Sequence, residues 1–435
     1  MQPLSASPQS RPLQFLRTHF PNERLGCTCR EDILATIKPL ILSPLEGNIL
    51  VKISQLEVFV IGDGPEIDPD KGGVEPLACL RIHTDDGITG LSEVFRVPPG
   101  VVQATVGDSQ THFGKLLTGQ EITHPERLWQ HMWDALMHTN RRGWEIIILG
   151  ALDVAIWDIY GQMLNQPVWK LLGGIQRGPF QSTVGSTVEV IPYCTLVSDV
   201  WGGEAMFSQQ VARAELLASM GYRAFKVEPM MSSPHDVVEL ARRCRKAIGD
   251  DLALMVDVGY LFNDVPTAVR VCRELEELNL TFFETPFPVD NPEPYAKLAA
   301  KTCIPLAMGE HGVTRWEFLD MMDRGDVSVV QPYMTTCGGL TEAKRIVELA
   351  LPRGAQVCPG NWSTQILGAA SVHLATYSPI TPFIEFAPAE VFESPLRREL
   401  QSAGFPVING AINIPTKPGI GYEIPDDVLA AFRMG

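Results

Sequence analysis

The sequence predicts an α/β protein in which a (β/α)8-type barrel, a modified TIM barrel, is joined to a smaller α+β domain. Beyond residue 188, short apolar runs alternate with helical patterns, and eight such runs can be counted. Between residues 51 and about 125 the pattern is instead one of strands and turns. The chain has 435 residues, whereas a typical barrel needs roughly 250, so there is room for a second domain.

The first domain is predicted over residues 51–187. Its strands are LEVFVIG and PLACLRIHTDDGITGLSEVF, and Asp86-Gly87 in the second is a hairpin signal. From about 125 to 172 apolar residues recur at helical spacing. The run GALDVAIWDIYGQML mixes small and large apolar residues, which favours a closely packed core helix.

The barrel is predicted over residues 188–388, with helical segments such as VVELARRCRKAI and TEAKRIVELA between its strands. A tail at 389–435 is expected to return to the first domain. The eight strand runs are IPYCTLV, RAFKVE, LALMVD, LTFFE, IPLAMGE, VSVVQP, AQVCP and PFIEF. In such a barrel the catalytic face lies at the carboxyl ends of the strands.

Residues 1–50 differ from the rest of the chain. They contain basic and apolar residues but no continuous apolar region followed by a cleavage site, so no signal peptide is predicted. A disordered arm, an oligomer contact and a start site placed too early all fit this segment.

Charge and cysteine usage narrow the class of protein. The chain has 35 basic and 51 acidic residues, a net charge of −16, which argues against nucleic acid or an anionic membrane as partner. No apolar run approaches the roughly 18 residues of a membrane span. The 9 cysteines are scattered and odd in number, which favours a reducing compartment, and we expect a cytoplasmic protein.

Three acidic residues at nearly equal intervals stand out. Asp257, Glu284 and Glu310 each end an apolar run, and they are 27 and 26 residues apart, about one strand-helix unit. Equivalent positions one unit apart lie side by side in a parallel barrel, where the carboxylates would repel one another. Clustered oxygen ligands favour Mg²⁺. A single acid after a strand is explained by loop polarity, but three at equal spacing predict a magnesium site.

From about residue 51 to its end the chain resembles the enolase superfamily, in its mandelate racemase subgroup. The resemblance rests on GALDVAIWD at 150–158, the three acids, GEHGVTRWEF at 309–318 and CGGLTEAKRI at 337–346. The GEHGVTRWEF run is similar to acid-sugar dehydratases related to L-rhamnonate dehydratase. The resemblance implies a capping domain over the barrel, Mg²⁺ on the three acids, a small hydroxy-acid or acid-sugar substrate, and a homo-oligomer, a dimer or an octamer.

The same resemblance implies abstraction of the proton next to a carboxylate, as known for this superfamily. Lys226, at the end of RAFKVE, matches the first lysine of a family Lys-x-Lys motif and would support the substrate carboxylate; the alternative is a surface lysine. Glu228 stands where the second lysine is expected. It fits a base with a raised pKa, an extra metal or water ligand, or an ion-pair partner of Lys226.

A His-Asp dyad usual in the family is missing from this chain. Tyr333 stands in place of the aspartate and Gly360 in place of the histidine. His311 and Tyr333 remain as candidates for acid-base work, alongside Lys226 and Glu228.

Three further residues are candidates for substrate binding. Glu385 in PFIEF matches a family acid that contacts the substrate, and Asn361 and Trp362 would line the space left by the imidazole. With these residues, the resemblance implies an Mg²⁺-dependent lyase of the acid-sugar dehydratase type. A metal-binding protein without turnover is the main alternative, and a racemase or epimerase is a weaker one because acid-base groups on one face are depleted.

Overall fold

A computed structural model describes residues 51–65, 73–140, 142–175, 189–230, 232–392 and 394–434. The described chain begins with the capping sheet. The expectations for residues 1–50 therefore lie outside the described residues. Antiparallel pairing joins β1 to β2 and β2 to β3, with a left-handed Gly87 (φ 91°) in the turn between β2 and β3, as the hairpin signal predicts. The strands are β1 (Ile53–Ile61), β2 (Leu77–Thr84) and β3 (Thr89–Val94).

Helices follow this sheet and complete the capping domain. They pack on it to form a separate apolar core from that of the barrel. They are α1 (Pro99–Val106), α2 (His112–Leu117), α3 (Pro125–Ala135), α4 (Trp144–Met163) and α5 (Val168–Leu172).

The barrel consists of 8 parallel strands in chain order, with the last strand paired to the first. The remaining edges meet through a backbone bond in which Glu385 N donates to Pro359 O at 2.9 Å. Each of the runs predicted to be a strand contains one. These are β4 (Pro192–Leu196), β5 (Ala224–Val227), β6 (Ala253–Asp257), β7 (Phe283–Glu284), β8 (Leu306–Met308), β9 (Val329–Val330), β10 (Gln356–Val357) and β11 (Ile384–Phe386).

Helices connect the barrel strands on the outside, and their starts are set by local capping. The clearest case is α7, where the Ser233 side chain accepts from Asp236 N while Asp236 accepts from Ser233 N, and Pro234 opens the first turn. The connecting helices are α6 (Gly203–Ser219), α7 (Pro234–Ile248), α8 (Val265–Leu275), α9 (Glu293–Ala299), α10 (Thr314–Gly325), α11 (Leu340–Ala350) and α12 (Gln365–Tyr377). Short 3-10 turns lie at Glu276–Leu278, Leu351–Arg353 and Ala389–Val391.

The tail brings the chain back to the capping sheet. Its last strand pairs antiparallel with β1, with Met434 opposite Val60. The capping sheet is therefore built from both ends of the described chain. The tail contains α13 (Pro395–Ala403), β12 (Val407–Ile408), β13 (Ala411–Ile412), α14 (Asp426–Phe432) and β14 (Arg433–Met434).

Helix α4 lies at the centre of the molecule, between the capping sheet and the barrel. By length and composition it is the one helix of the described residues that would be able to cross a membrane, but 83% of its apolar window is buried inside the protein. A Cβ at Gly150 would lie 2.2 Å from the carbonyl oxygen of Thr335 in the barrel. This close approach and the burial identify α4 as a core helix.

A buried carboxyl group fixes α4 to the start of α11. Asp153 accepts from the backbone N of Thr341 at 2.8 Å and from its Oγ1 at 2.7 Å. Trp157 Nε1 donates to the same Oγ1 at 2.9 Å. Burial outweighs these hydrogen bonds and raises the pKa of Asp153 from 3.8 to about 7.

Because of this raised pKa, the free energy of unfolding is expected to depend on pH, and Asp153→Asn should remove that dependence. The folded carboxyl group keeps its proton up to about pH 7, whereas the unfolded one releases it near 3.8. Stability from this group is therefore present at low pH and is lost as the pH rises through 7. Between pH 4 and pH 8 we expect the free energy of unfolding of the wild type to fall, relative to Asp153→Asn, by about 4 kcal/mol.

Urea denaturation of both proteins across that pH range measures this difference. A difference that stays constant with pH would show that Asp153 titrates normally in the folded protein.

Candidate active site

The strand pleat explains how the candidate residues come together. Side chains at alternate positions of a strand share a face, and one interior layer of the barrel is apolar. That layer is formed by Tyr193, Ala224, Met255, Phe282, Ala307, Val329 and Cys358. Two residues further along, on the catalytic side, the same face carries mostly polar groups. These are Thr195, Lys226, Asp257, Glu284, Gly309, Gln331 and Gly360.

The predicted metal ligands do not all occupy equivalent positions. Asp257 and Glu284 are direct register partners on β6 and β7. On β8 that layer position is Gly309, and Glu310 is one residue later. Gly309 has a φ of 137° and redirects the chain there. The Glu310 side chain is consequently 19% exposed, against 5% for Asp257 and 3% for Glu284.

The Lys226 ammonium group is the centre of the site. Its Nζ lies 3.3 Å from Asp257 Oδ2, 3.1 Å from Glu284 Oε2 and 3.1 Å from Glu385 Oε1. Glu228 Oε1 is 3.8 Å away. The side chain is only 4% exposed, so this is a buried cation among four carboxyl groups rather than the surface lysine of the alternative interpretation.

Opposing electrostatic effects act on this cluster. Burial alone would lower the pKa of Lys226, but the charges of Glu284 and Glu385 raise it well above its ordinary value. Burial raises the pKa of Glu284 well above its ordinary value, and the charge of Asp257 raises it further. Burial also raises the pKa of Asp257, against the effect of Lys226. One ammonium group therefore leaves the surrounding carboxyl groups incompletely neutralised.

A second cation, Arg96, enters the site from the capping domain. Its Nη2 donates to Glu310 Oε2 at 2.9 Å, and its Nη1 lies 2.9 Å from His311 Nδ1. Tyr260 donates its hydroxyl to Glu310 Oε1 at 2.8 Å. Burial alone would raise the pKa of Glu310, but Arg96 holds it at about 2.

Sequence reasoning missed Arg96, which follows β3 in the RVPPG loop. Its φ of 63° is unusual for a residue other than glycine, and strained backbone of this kind tends to cluster at functional sites. The local sequence carries no sign of this conformation, and Glu310 is far away along the chain.

The charge balance of the site fits a divalent cation. Lys226 and Arg96 contact five carboxyl groups, those of Glu228, Asp257, Glu284, Glu310 and Glu385. Carboxylate oxygens are the ligands that Mg²⁺ prefers. In the described part of the chain, no three His, Cys, Asp or Glu side chains are already grouped as a metal would require, because the two cations lie between these acids.

Glu385 is held by three hydrogen bonds in addition to its ion pair with Lys226. Its Oε1 accepts from Thr195 Oγ1 at 2.7 Å, and its Oε2 accepts from the Tyr333 hydroxyl and from Asn361 N, both at 2.7 Å. Burial alone would raise its pKa, but Lys226 and these hydrogen bonds lower it. Burial and Glu385 together raise the pKa of Tyr333 well above its ordinary value. The phenol therefore keeps its proton and points it at Glu385.

The two positions of the missing dyad are in direct contact. A Cβ at Gly360 would lie 1.8 Å from Cε2 of Tyr333, so the tyrosine ring fills the space that a side chain at 360 would need. Phe95 stacks on the same ring with 5.7 Å between centroids. The expectation that Asn361 lines a space left by the imidazole does not match this geometry, because Tyr333 occupies that space and the Asn361 amide turns toward Thr364 O, at 3.4 Å.

A cavity of about 260 Å³ opens above Lys226. Its walls include six further residues of the predicted set: Glu228, Asp257, Glu310, Tyr333, Trp362 and Glu385. Sequence reasoning did not find Arg96, Ser198, Trp201, Met230 and Arg397, which also line it. His311 is on the outer rim with its side chain 44% exposed, stacked on Tyr260 at 6.1 Å.

Glu228 has a fixed backbone and a carboxyl group at the cavity wall. Gln210 holds that backbone from both sides, accepting from Glu228 N at 3.0 Å and donating to Glu228 O at 2.9 Å. Burial raises the pKa of Glu228 well above its ordinary value, against the effect of Lys226. Among the described residues, Lys226 is the one cation within ion-pair distance of this carboxyl group.

The contact between Tyr333 and Gly360 predicts a strong coupling between the two positions. Gly360→Ala is expected to lower the free energy of unfolding by about 1–3 kcal/mol, because the added methyl overlaps the ring. In a Tyr333→Ala background the methyl has room, so the same substitution is expected to cost much less. A double-mutant cycle by urea denaturation measures this difference.

Gly100→Ala is the matched control, since a Cβ there meets nothing within 4 Å. If Gly360→Ala lowers the free energy of unfolding equally in the two backgrounds, the Tyr333 ring does not limit the space at position 360.

Family models match both parts of the chain. Residues 209–428 match the model described as "Enolase C-terminal domain-like". Residues 57–173 match the "Mandelate racemase / muconate lactonizing enzyme, N-terminal domain". The matched ranges correspond to most of the barrel with its tail and to the capping domain.

Individual proteins agree with these matches. The chain is 28% identical to an arabinonate dehydratase of Saccharolobus solfataricus over 360 residues, 82% of this chain and 90% of that protein. It is 29% identical to a D-galactonate dehydratase of Klebsiella pneumoniae over 362 residues, 80% of this chain and 88% of that one. The crystal structure of a 3,6-anhydro-D-galactonate cycloisomerase from Zobellia galactanivorans superposes with a TM-score of 0.76 at 28% identity, covering 88% of this chain and 100% of that one. The chain belongs to the enolase superfamily, among proteins of the mandelate racemase and muconate lactonizing enzyme type.

Proposed function

We propose that this protein is a cytoplasmic, Mg²⁺-dependent lyase that dehydrates a small hydroxy acid of the acid-sugar class. The observation that carries the proposal is the Lys226 ammonium group, buried among carboxyl groups at the floor of a cavity. The names of similar proteins, two of them dehydratases of sugar acids, support the substrate class.

Asp257, Glu284 and Glu310 are the residues that would hold the metal. Bound there, Mg²⁺ would supply positive charge that stabilises negative charge developing on a substrate carboxylate. The incompletely neutralised acids around Lys226 and Arg96 support this assignment.

Lys226 would bind the substrate carboxylate and stabilise the charge that develops on it. Its raised pKa means that it carries a positive charge in this arrangement, so it acts as a cation rather than as the proton acceptor. A buried cation aimed at developing charge is among the strongest catalytic effects available to a protein.

Glu228 is our candidate for the group that moves the proton. The other candidates already have partners: the Tyr333 hydroxyl donates a hydrogen bond to Glu385, and His311 contacts Arg96 outside the cavity. The Glu228 carboxyl group lies at the cavity wall beside Lys226. It would take the proton next to the substrate carboxylate and pass it to the departing β-hydroxyl group, which leaves as water on the same face.

The opposite face of the site supports elimination rather than racemisation. A racemase needs an acid-base group on each side of the reacting carbon, and here the dyad positions are filled by the Tyr333 ring against Gly360. Glu385 and Trp362 would then shape the site and hold the substrate, with Trp362 packed edge-on against Phe392 at 5.5 Å. Asn361 would position Glu385 through its backbone N.

A screen of sugar acids for 2-keto acid formation tests the proposal. We expect turnover of at least one acid sugar that requires Mg²⁺. Glu228→Gln should lower kcat about 100-fold or more, because it removes the proton acceptor while Gln210 still holds the backbone. Lys226→Gln should have an effect at least as large. Glu317→Gln is the matched control and should retain activity, because Glu317 pairs with Arg142 and does not line the cavity.

The library should contain monoacids, diacids and 3,6-anhydro acids, since one similar structure is a cycloisomerase of such a compound. If folded, Mg²⁺-loaded protein forms no 2-keto acid from any compound in the library, the proposed dehydratase activity is contradicted and a binding protein without turnover is favoured. Full activity of Glu228→Gln would remove Glu228 from its proposed role.

A further inference from the structure

Arg96 is the residue of the capping domain that contacts a predicted metal ligand. Its guanidinium group donates to Glu310 at 2.9 Å and is also placed over two aromatic rings, 4.9 Å from the centroid of Phe95 and 5.2 Å from that of Tyr333. The Arg96 side chain is 30% exposed. The guanidinium group is thus held by two aromatic rings and by the Glu310 carboxylate.

The Glu310 carboxylate cannot bind Arg96 and a divalent cation equally well at the same time. A divalent cation on Glu310 would compete with Arg96 for this carboxylate and would repel the guanidinium group. Tyr260, which donates to the other oxygen of Glu310, is neutral and meets no such conflict. Metal loading would therefore act on Arg96 first.

The released guanidinium group would face the cavity, not bulk solvent. Arg96 lines the same cavity as Lys226 and Glu228. The Phe95 and Tyr333 rings would still support its plane. A planar guanidinium fork matches a carboxylate better than any other side chain does.

We propose that Arg96 exchanges partners: it holds Glu310 in the metal-free protein and binds the carboxylate of the hydroxy acid once a divalent cation occupies the site. The substrate carboxylate would then lie between a cation of the capping domain, Arg96, and a cation of the barrel, Lys226. This inference rests on the metal site of the proposed function but needs no turnover.

Two calorimetric titrations of Arg96→Gln test the exchange. Into metal-free protein, Mg²⁺ should bind about two- to fivefold more tightly than to the wild type, because a competing ion pair is removed. Into Mg²⁺-loaded protein, tartronate should bind about tenfold or more weakly, because a charge-assisted hydrogen bond is lost. Tartronate has a 2-hydroxy acid group but no β-hydroxyl, so it cannot be dehydrated.

Arg142→Gln is the matched control, since Arg142 lines a neighbouring pocket that Arg96 also reaches but pairs with Glu317. Both affinities should stay at the wild-type value. If Arg96→Gln leaves Mg²⁺ affinity unchanged or lowers it, or leaves tartronate affinity unchanged, the exchange is wrong while the proposed function stands. Absence of Mg²⁺ binding in both the wild type and Arg96→Gln would overturn the exchange and the proposed metal site together. Opposite shifts of the two affinities without 2-keto acid formation would support the exchange and leave the proposed function unsupported.

Discussion

Everything at the catalytic end of the barrel depends on the charge of Lys226. A buried ammonium group is costly unless carboxylates surround it, and here four carboxyl groups lie within 3.8 Å of Nζ. The carboxylates in turn need the ammonium group, because Asp257 and Glu284 face each other on adjacent strands and repel each other. Lysine and acids stabilise one another, but one positive charge does not balance them. The remaining negative charge is what supports the proposed divalent cation at this site.

The second constraint is steric, and it decides which faces of the site are available. Tyr333 reaches over Gly360 from the neighbouring strand, stacks on Phe95 and donates a hydrogen bond to Glu385. A side chain at 360 and a tyrosine at 333 exclude each other, so the two departures from the family pattern are one structural change. In the proposed function the chemistry would therefore lie on the side of Lys226 and Glu228.

Much of this arrangement was accessible from sequence because it repeats with the strands. Each apolar run marks a barrel strand, and its period of two places Lys226, Asp257 and Glu284 on the inner face. The equal spacing of the acids was less informative for Glu310, which is displaced by Gly309. Arg96 was not predictable, since its partner lies 214 positions away and its backbone conformation has no local signal. The contact of Tyr333 with Gly360 was also not predictable. The sequence shows that both residues differ from the family pattern, but not that the tyrosine ring fills the space beside Gly360.

A crystal structure of the protein grown at saturating Mg²⁺ tests the central claim most directly. The charge argument predicts one ion bound by Asp257, Glu284 and Glu310, with Lys226 retained against Glu385 and with Arg96 no longer on Glu310. A structure in which Lys226 still holds both Asp257 and Glu284, with Mg²⁺ absent from these acids, would contradict it.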